Sequence, residues 1–195
     1  WIQIDEPVLG LDIEDKWLAA FRDVYQELSR EPVKLLLTTY FSSLAGHIDT
    51  VCSLPVAGLH VDAIRGAEDL KEIATKWPAD RILSVGVIDG RNIWKADLDK
   101  ALAVLRSPGL AGRQNLWVAP SCSLLHVPFS LDAETKMDLR LKQCLAFAVE
   151  KLEEIHALKD ALVKGDAAVA DALESSRRTV ELRKGDWVHN AQVAK

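Results

Sequence analysis

Side chains that could bind a substrate or a metal ion gather where apolar segments of this sequence end. The clearest case is the apolar run LWVAP, after which the chain turns polar and presents Cys122 and His126. Asp5, Asp62 and Arg91 stand at the ends of three other apolar runs in the same way. Parallel strands end at one edge of a sheet, so these five residues are the candidates for a substrate-binding site.

A metal site is the sharpest chemical interpretation of this pattern. His60, Asp62, Cys122 and His126 are all metal-ligand types, and alternation along a strand sends His60 and Asp62 to the same face. No spacing matches a closed zinc signature such as paired CxxC motifs. An ordinary hydrogen-bonded polar cluster is therefore the alternative interpretation, and the one we favour.

A nucleophile is the second chemical interpretation. Cys122 or Ser121 would need a base and a group that orients the base, and His126 and Asp62 could supply both. The GxSxG elbow that positions a serine nucleophile in α/β-hydrolases is absent from the sequence.

The remaining charged candidates suit binding better than catalysis. Asp5 and Glu6 are neighbours in a strand and point to opposite faces, so they form a poor acid/base pair, although either could hold a substrate amine. Arg91 is interpreted either as a clamp for an anion or carboxylate or as part of a structural ion pair, and we favour the ion pair.

Five strand-type segments must position these side chains. They cover residues 2–7, 33–40, 58–64, 82–92 and 116–126. Segments with helical spacing separate them, at about 14–30, 43–53, 67–77 and 96–106. Connections of this length force parallel pairing, so the sequence predicts an α/β fold. Five strands suit an open doubly wound sheet or part of a barrel, because a complete (βα)8 barrel takes about 250 residues.

After Pro128 the pattern is exclusively helical, without further strand-type segments. Apolar spacing predicts one long helix over 131–164, with Gly165 as its stop, and a second helix over about 167–183. We therefore predict a single domain, with a βα-repeat part over 1–128 and C-terminal helices over 129–195 that pack on it.

Composition excludes several classes of protein. The chain has 195 residues, of which 49% are hydrophobic, and 24 basic against 29 acidic residues give a formal net charge of -5. This balance argues against a nucleic-acid surface, and no apolar run approaches the roughly 20 residues of a membrane span. Cys52, Cys122 and Cys144 have unrelated spacings, which predicts reduced thiols in a cytoplasmic protein.

Longer motifs around the strand-type segments resemble a known family. In order, they are WIQIDEP, KLLLTTYF, LPVAGLHVDAIR, LSVGVIDGRNIW and LWVAPSCSLLHVPFSLDAETKMD. Together they closely resemble the latter half of the N-terminal domain of cobalamin-independent methionine synthase. Members of that family move a methyl group from 5-methyltetrahydrofolate polyglutamate to homocysteine.

The resemblance implies a fold as well as an activity. The family has two barrels that arose by duplication, with zinc and homocysteine in the C-terminal barrel, while the N-terminal barrel helps to hold the folate. It implies for this chain a partial (βα)8 TIM-type barrel, with about five parallel strands, alternating helices and a long C-terminal helical segment.

A comparison with the catalytic barrel of the family implies lost zinc ligands. Thr39 and Phe41 stand where the catalytic copy has a His and a Cys ligand, Asp62 stands in place of a Glu ligand, and Cys122 matches the last Cys ligand. Phe41 cannot bind zinc and Thr39 is a weak ligand. We therefore expect no metal in this segment, and zinc only in the catalytic barrel of the parent enzyme.

The same comparison implies lost catalytic and folate-binding groups. Arg91 stands where the catalytic copy has its proton-donating His, and an Arg stays protonated at neutral pH. Asp5 matches an aspartate that holds the homocysteine amine there, whereas the folate-contacting Glu aligns with Leu11. The family's N-terminal folate contacts would lie before Trp1. We expect no catalytic residue and no cofactor in this segment.

The expected role is that of a non-catalytic scaffold within a methionine synthase. Its expected partners are the remainder of such a chain and, for the full enzyme, the methyl-folate polyglutamate and homocysteine. A chain that opens at Trp1 suggests a piece of a longer polypeptide, and the open edges of a partial sheet predict self-association. The alternatives are an autonomous metal- or Cys-dependent α/β enzyme and a folate-binding module.

Overall fold

Five β-strands alternate with helices in the computed structural model, which describes residues 1–44, 46–185 and 187–188. The strands are β1 (Ile2–Asp5), β2 (Leu35–Thr38), β3 (Gly58–Asp62), β4 (Ile82–Ile88) and β5 (Leu116–Pro120). The α-helices are α1 (Asp15–Leu28), α2 (Ile48–Ser53), α3 (Leu70–Lys76), α4 (Leu98–Leu105), α5 (Leu139–Lys142), α6 (Ala148–Lys164) and α7 (Ala170–Leu182). The predicted α/β fold class is confirmed.

The strands form one parallel sheet in the order β1-β2-β3-β4-β5. Its register aligns strand ends, since Asp5 pairs with Thr38, Thr38 with His60, and His60 with Ser84. Strands that neighbour one another in chain order are typical of a (βα) barrel, and an open sheet of five is consistent with part of one.

Two tryptophan side chains from opposite edges of the sheet meet at one end. The ring of Trp1, just before β1, lies 5.1 Å from the ring of Trp117 on β5, measured between centroids. Because β1 and β5 are at opposite edges of the strand order, this contact indicates a curled sheet. Curling of this kind is what a partial barrel needs.

The central strands are covered on both faces. Every residue of β2 and of β3 is buried, as are six of the seven residues of β4. Leu37, Leu59 and Leu83 are completely inaccessible to solvent. Continuous apolar runs therefore fold here as the interior of a parallel sheet, as expected for strands flanked by helices.

The chain forms two compact units. The first comprises 1–87 and 105–122 and contains the sheet with α1, α2 and α3. The second comprises 88–104 and the part of the chain from Ser123 onward, with most of α4 and with α5, α6 and α7. The predicted single domain, divided at residue 128, stays a prediction.

The prediction of one continuous helix over 131–164 is wrong. Helices α5 and α6 occupy separate parts of this stretch, and residues 143–147 between them are not helical. Trp94 forms an antiparallel bridge with Leu145, and Leu145 and Phe147 belong to the apolar core of the second unit. Tertiary packing therefore uses apolar residues whose spacing alone looks helical.

Local hydrogen bonds set both ends of α6. The Glu150 side chain accepts hydrogen bonds from the backbone N–H of Phe147 at 3.0 Å and from that of Leu131 at 3.0 Å. At the other end Gly165 has a φ of 88°, which favours glycine, so the predicted stop is confirmed. Neither α6 nor any other helix in the described part of the chain is long and apolar enough to span a bilayer.

Candidate functional site

The five candidate residues are divided between the two units. Asp5, Asp62 and Cys122 lie in the first unit, at the ends of β1, β3 and β5. Arg91 and His126 lie in the second unit. The predicted site that joins all five stays a prediction.

The Asp62 carboxylate organises the backbone around the end of β3. Only 3% of this residue is exposed. Its Oδ1 accepts hydrogen bonds from the N–H groups of Ile64 and Arg65, both at 2.9 Å, and its Oδ2 accepts one from Phe41 at 3.1 Å. The Arg65 guanidinium lies 3.6 Å from Oδ2. Both carboxylate oxygens are therefore committed to the protein's own donors.

Asp62 and Asp69 together stabilise the loop that follows β2. Phe41 has a φ of 81°, a left-handed conformation that is strained for a bulky residue. Its N–H is held by Asp62, and the buried Asp69 accepts hydrogen bonds from Leu44 N–H at 2.5 Å and from the Ser43 hydroxyl at 2.9 Å. Two buried carboxylates thus stabilise a strained loop at the ligand end of the sheet.

His60 is a neutral, hydrogen-bonded core residue. Its Nε2 lies 3.4 Å from the carbonyl oxygen of Ser121 and its Nδ1 lies 2.9 Å from the Ser84 hydroxyl. A carbonyl oxygen can only accept, so Nε2 carries the proton and Nδ1 accepts from Ser84. Burial lowers the pKa of His60, which favours this neutral form. Neither nitrogen is left to bind a ligand.

Gly86 allows the ends of β4 and β5 to approach closely. A Cβ atom at this position would lie 2.6 Å from the Cα of Ser121 and 2.9 Å from the carbonyl oxygen of Pro120. It would also lie 3.1 Å from Cε1 of His60. The absence of a side chain at Gly86 therefore permits the contact between His60 and the end of β5.

Two acidic residues at the end of β1 each accept a hydrogen bond from a tyrosine. The Tyr40 hydroxyl donates to Oδ2 of Asp5 at 3.1 Å, and the Tyr25 hydroxyl donates to Oε1 of Glu6 at 3.2 Å. Burial raises the pKa of Glu6 and of both tyrosines, so both phenols stay protonated near neutral pH. Asp5 is exposed and also accepts from the Gln3 amide at 2.7 Å, so it is the most accessible carboxylate of the group.

Cys122 is buried directly after β5, with 4% of its surface exposed. It lies close enough to Tyr40 to contribute, after burial and the bond to Asp5, to the raised pKa of that phenol. A nucleophilic thiol needs access to a substrate and a group that favours the thiolate. The burial of Cys122 favours the interpretation as a core residue.

Arg91 and His126 are both exposed in the second unit. Asp89 forms a tight turn after β4, because its carboxylate accepts from the Arg91 N–H and from the Asn92 side-chain amide, both at 2.9 Å. This turn ends β4 at Ile88, so the predicted strand over 82–92 is too long. His126 ends a short 3-10 turn.

Three of the four residues that the resemblance places at zinc-ligand positions do not suit a zinc ion. The Thr39 hydroxyl donates to the carbonyl oxygen of His60 at 2.9 Å, Phe41 has no ligand atom, and Asp62 is held by three backbone N–H groups. Within the described residues, no group of three or more His, Cys, Asp and Glu side chains could hold a metal ion. The expected lack of a metal in the natural protein stays a prediction.

Ser84, Arg65 and Asp69 take part in this network and were not among the candidates from the sequence. Ser84 could have been found from register, because aligning GLHVD with ILSVG in parallel places it beside His60. Arg65 and Asp69 lie in and after the β3 loop, where no pattern in the sequence indicates which donor each side chain will meet.

Comparisons with known proteins identify the family. A model described as the cobalamin-independent synthase N-terminal domain matches residues 1–109. A 5-methyltetrahydropteroyltriglutamate–homocysteine methyltransferase of Acidithiobacillus ferrooxidans is 46% identical over 196 residues, covering 100% of this chain and 25% of the relative.

Two further relatives with the same name agree. The protein of Actinobacillus pleuropneumoniae is 46% identical over 198 residues (100% of this chain and 26% of the relative), and that of Klebsiella pneumoniae is 46% identical over 195 residues (100% and 25%). The chain thus spans about a quarter of the length of the curated relatives it matches. The resemblance seen in the sequence is confirmed, and the chain belongs to the cobalamin-independent methionine synthase family, matching its N-terminal domain.

Proposed function

We propose that this chain is a non-catalytic scaffold segment of a methyltransferase that moves a methyl group from 5-methyltetrahydrofolate polyglutamate to homocysteine. The relatives that match it over its whole length carry the name of that activity. Its partners are then the remainder of such an enzyme and, through the whole enzyme, the two substrates. The zinc that serves the reaction lies in the catalytic barrel of the parent enzyme, outside this segment.

The state of Asp62 carries the proposal that the segment is non-catalytic. A carboxylate that already accepts three backbone N–H groups and lies 3.6 Å from an arginine guanidinium keeps little acceptor capacity for a metal ion, and the guanidinium charge would repel the cation. These hydrogen bonds are part-buried, so each N–H that lost its acceptor would cost at most about 1–3 kcal/mol. Asp62 therefore stabilises loops at the end of the sheet.

The remaining candidates support the same proposal. His60 uses both ring nitrogens inside the protein, and Cys122 is buried. Asp5 is the exposed exception, and we propose it as the residue of the first unit that is most able to contact a substrate amine. Three cysteines in the reduced thiol form suit a reducing compartment, so we propose a cytoplasmic location.

Metal analysis of the purified chain tests the proposal. We expect no stoichiometric zinc in the wild-type chain, in Cys122→Ala or in Cys144→Ala. Cys144→Ala is the matched control, because Cys144 is a buried free cysteine in the second unit. One zinc ion per wild-type chain that is lost in Cys122→Ala and kept in Cys144→Ala would refute the scaffold role.

A further inference from the structure

A cleft of about 540 Å³ lies within the second unit. Its lining comes from residues 95–98, from residues 131–143 and from α6 and α7. Small-molecule sites in proteins have volumes of about 300–1,000 Å³ and combine apolar walls with a few polar groups. The size of this cleft therefore fits a small organic ligand.

Part of the lining of this cleft is apolar. Leu98 and Leu131 are buried, whereas Leu139 on α5 is 76% exposed. Ala157 on α6 and Ala172 on α7 add only methyl groups to the walls. An aliphatic group in the cleft would shield Leu139 from water, which is favourable. The cleft is thus able to hold the hydrocarbon part of a ligand.

The cleft also contains a carboxylate oxygen without a hydrogen bond. Glu154 belongs to the lining, and its Oε1 accepts from the N–H of Ala96 at 2.8 Å. Its Oε2 is shielded from water and has no hydrogen-bond partner among the described residues. Burial raises the pKa of Glu154, and a buried acceptor without a donor is destabilising. The terminal torsion of a glutamate is soft, so the carboxylate can turn toward a donor that enters the cleft.

A lysine supplies the opposite charge in the same lining. The ammonium group of Lys95 makes no hydrogen bond and no ion pair with the described residues. It lies close enough to Glu154 to act on the pKa of that carboxyl group, but it does not reach it. The other lysine of the lining, Lys142, already donates to the carbonyl oxygen of Glu134 at 3.2 Å. Glu154 and Lys95 are therefore the two charged groups that a ligand could pair.

We propose that this cleft binds an aliphatic α-amino acid. Glu154 accepts from its ammonium group, Lys95 pairs with its carboxylate, and the side chain of the ligand lies against the leucines of the wall. A simple amine would leave Lys95 unpaired, and a simple carboxylate would face Glu154 and the exposed Glu153 of the same lining. A zwitterion matches both signs of charge. This site is independent of the proposed methyl transfer.

Isothermal titration calorimetry of the purified chain near pH 7 tests the site with three probes. They are norleucine, pentylamine, which is norleucine without the carboxylate, and hexanoate, which is norleucine without the ammonium group. We expect norleucine to bind with a Kd below about 1 mM, and the two other probes to bind at least about tenfold more weakly.

Substitutions in the lining locate the ligand. Lys95→Gln and Glu154→Gln should each weaken the binding of norleucine by about tenfold or more. The side chain of Lys95 has no partner to lose, so Lys95→Gln should fold as the wild type does. Glu174→Gln is the matched control and should bind as wild type, because Glu174 is an exposed carboxylate on α7 outside the lining.

Three outcomes would overturn the proposal. The first is the absence of norleucine binding at about 10 mM ligand. The second is binding of pentylamine or of hexanoate that equals the binding of norleucine, because a zwitterion would then not be required. The third is norleucine binding that both Lys95→Gln and Glu154→Gln leave unchanged, since the ligand would then lie elsewhere.

Discussion

At the scale of single residues, the ligand-type side chains of the first unit act as hydrogen-bonding partners of their own backbone. Asp62 holds three N–H groups, and His60 connects Ser84 on β4 with the carbonyl of Ser121 after β5. The types and positions of Asp62 and His60 could be predicted from the sequence. Their bonding state could not, because it depends on donors and acceptors that lie up to 61 residues away in the chain.

Asp62→Ala should destabilise the chain strongly. Three backbone N–H groups would lose a charged acceptor, so we expect the free energy of unfolding to fall by about 3 kcal/mol. Urea denaturation followed by circular dichroism measures this change. Asp23→Ala, at an exposed position on α1, is the control and should stay within about 0.5 kcal/mol of wild type. Equal effects of the two substitutions would contradict the role of Asp62.

His60 should make the stability of the chain depend on pH. Burial lowers the pKa of His60 below its ordinary 6.5, so the unfolded chain takes up a proton that the folded chain resists. Neutral His60 makes its full contribution to the free energy of unfolding above pH 6.5, and this contribution is lost as the pH falls toward the lowered pKa.

We expect a slope of up to about 1.4 kcal/mol per pH unit from this one group. Urea denaturation between about pH 7.5 and about pH 5.5 measures it for the wild type and for His60→Gln, which does not titrate in this range. The difference between the two curves isolates His60 from the other histidines. Parallel curves would show that His60 binds its proton equally well in both states.

At the scale of elements, the strands follow from the sequence better than the helices beyond Pro128. Continuous apolar runs predict β2 to β4 because both faces of these strands are buried. The prediction of a helix over 131–164 is wrong because Leu145 and Phe147 are buried in the non-helical segment 143–147, beside Trp94. Local periodicity cannot distinguish such a buried non-helical segment from a helix, since both bury apolar residues.

Gly86→Ala should disturb the pairing of β4 with the end of β5. The added methyl group would meet backbone atoms of Ser121 and Pro120, which cannot rotate away, so we expect a loss of about 2 kcal/mol in the free energy of unfolding. Gly46→Ala is the matched control, because nothing lies within 4 Å of a Cβ there, and it should be close to neutral. Thermal or urea denaturation measures the free energy of unfolding of both variants. A neutral Gly86→Ala would show that β5 can shift at no cost.

At the scale of the whole molecule, the resemblance read from five motifs predicted the family and the fold class correctly. The sequence could not reveal whether each edge strand of the sheet is paired or left open, because that depends on which segments lie beside it in space. β1 pairs only with β2 in the described sheet, and most of its residues are exposed. An open strand edge of this kind recruits further strands.

Self-association through β1 should respond to a proline on its open side. The N–H groups of Ile2 and Glu6 donate to carbonyls of the segment that contains β2. Backbone N–H groups alternate between the two sides of a strand, so the N–H of Gln3 points to the open edge. We expect the isolated chain to sediment partly as a dimer or larger species at micromolar concentration, and Gln3→Pro to shift it toward the monomer. Gln3→Ala keeps the N–H and should behave as wild type. A strictly monomeric wild-type chain would refute the prediction.

We propose that this segment supports a methyltransferase without taking part in its chemistry. The most direct measurement is kcat for methyl transfer by the full-length enzyme with Cys122→Ala in this segment, at saturating homocysteine and methyl-folate triglutamate. We expect a kcat within about twofold of wild type and an unchanged zinc content. A kcat reduced by about a hundredfold or more, together with loss of zinc, would contradict it.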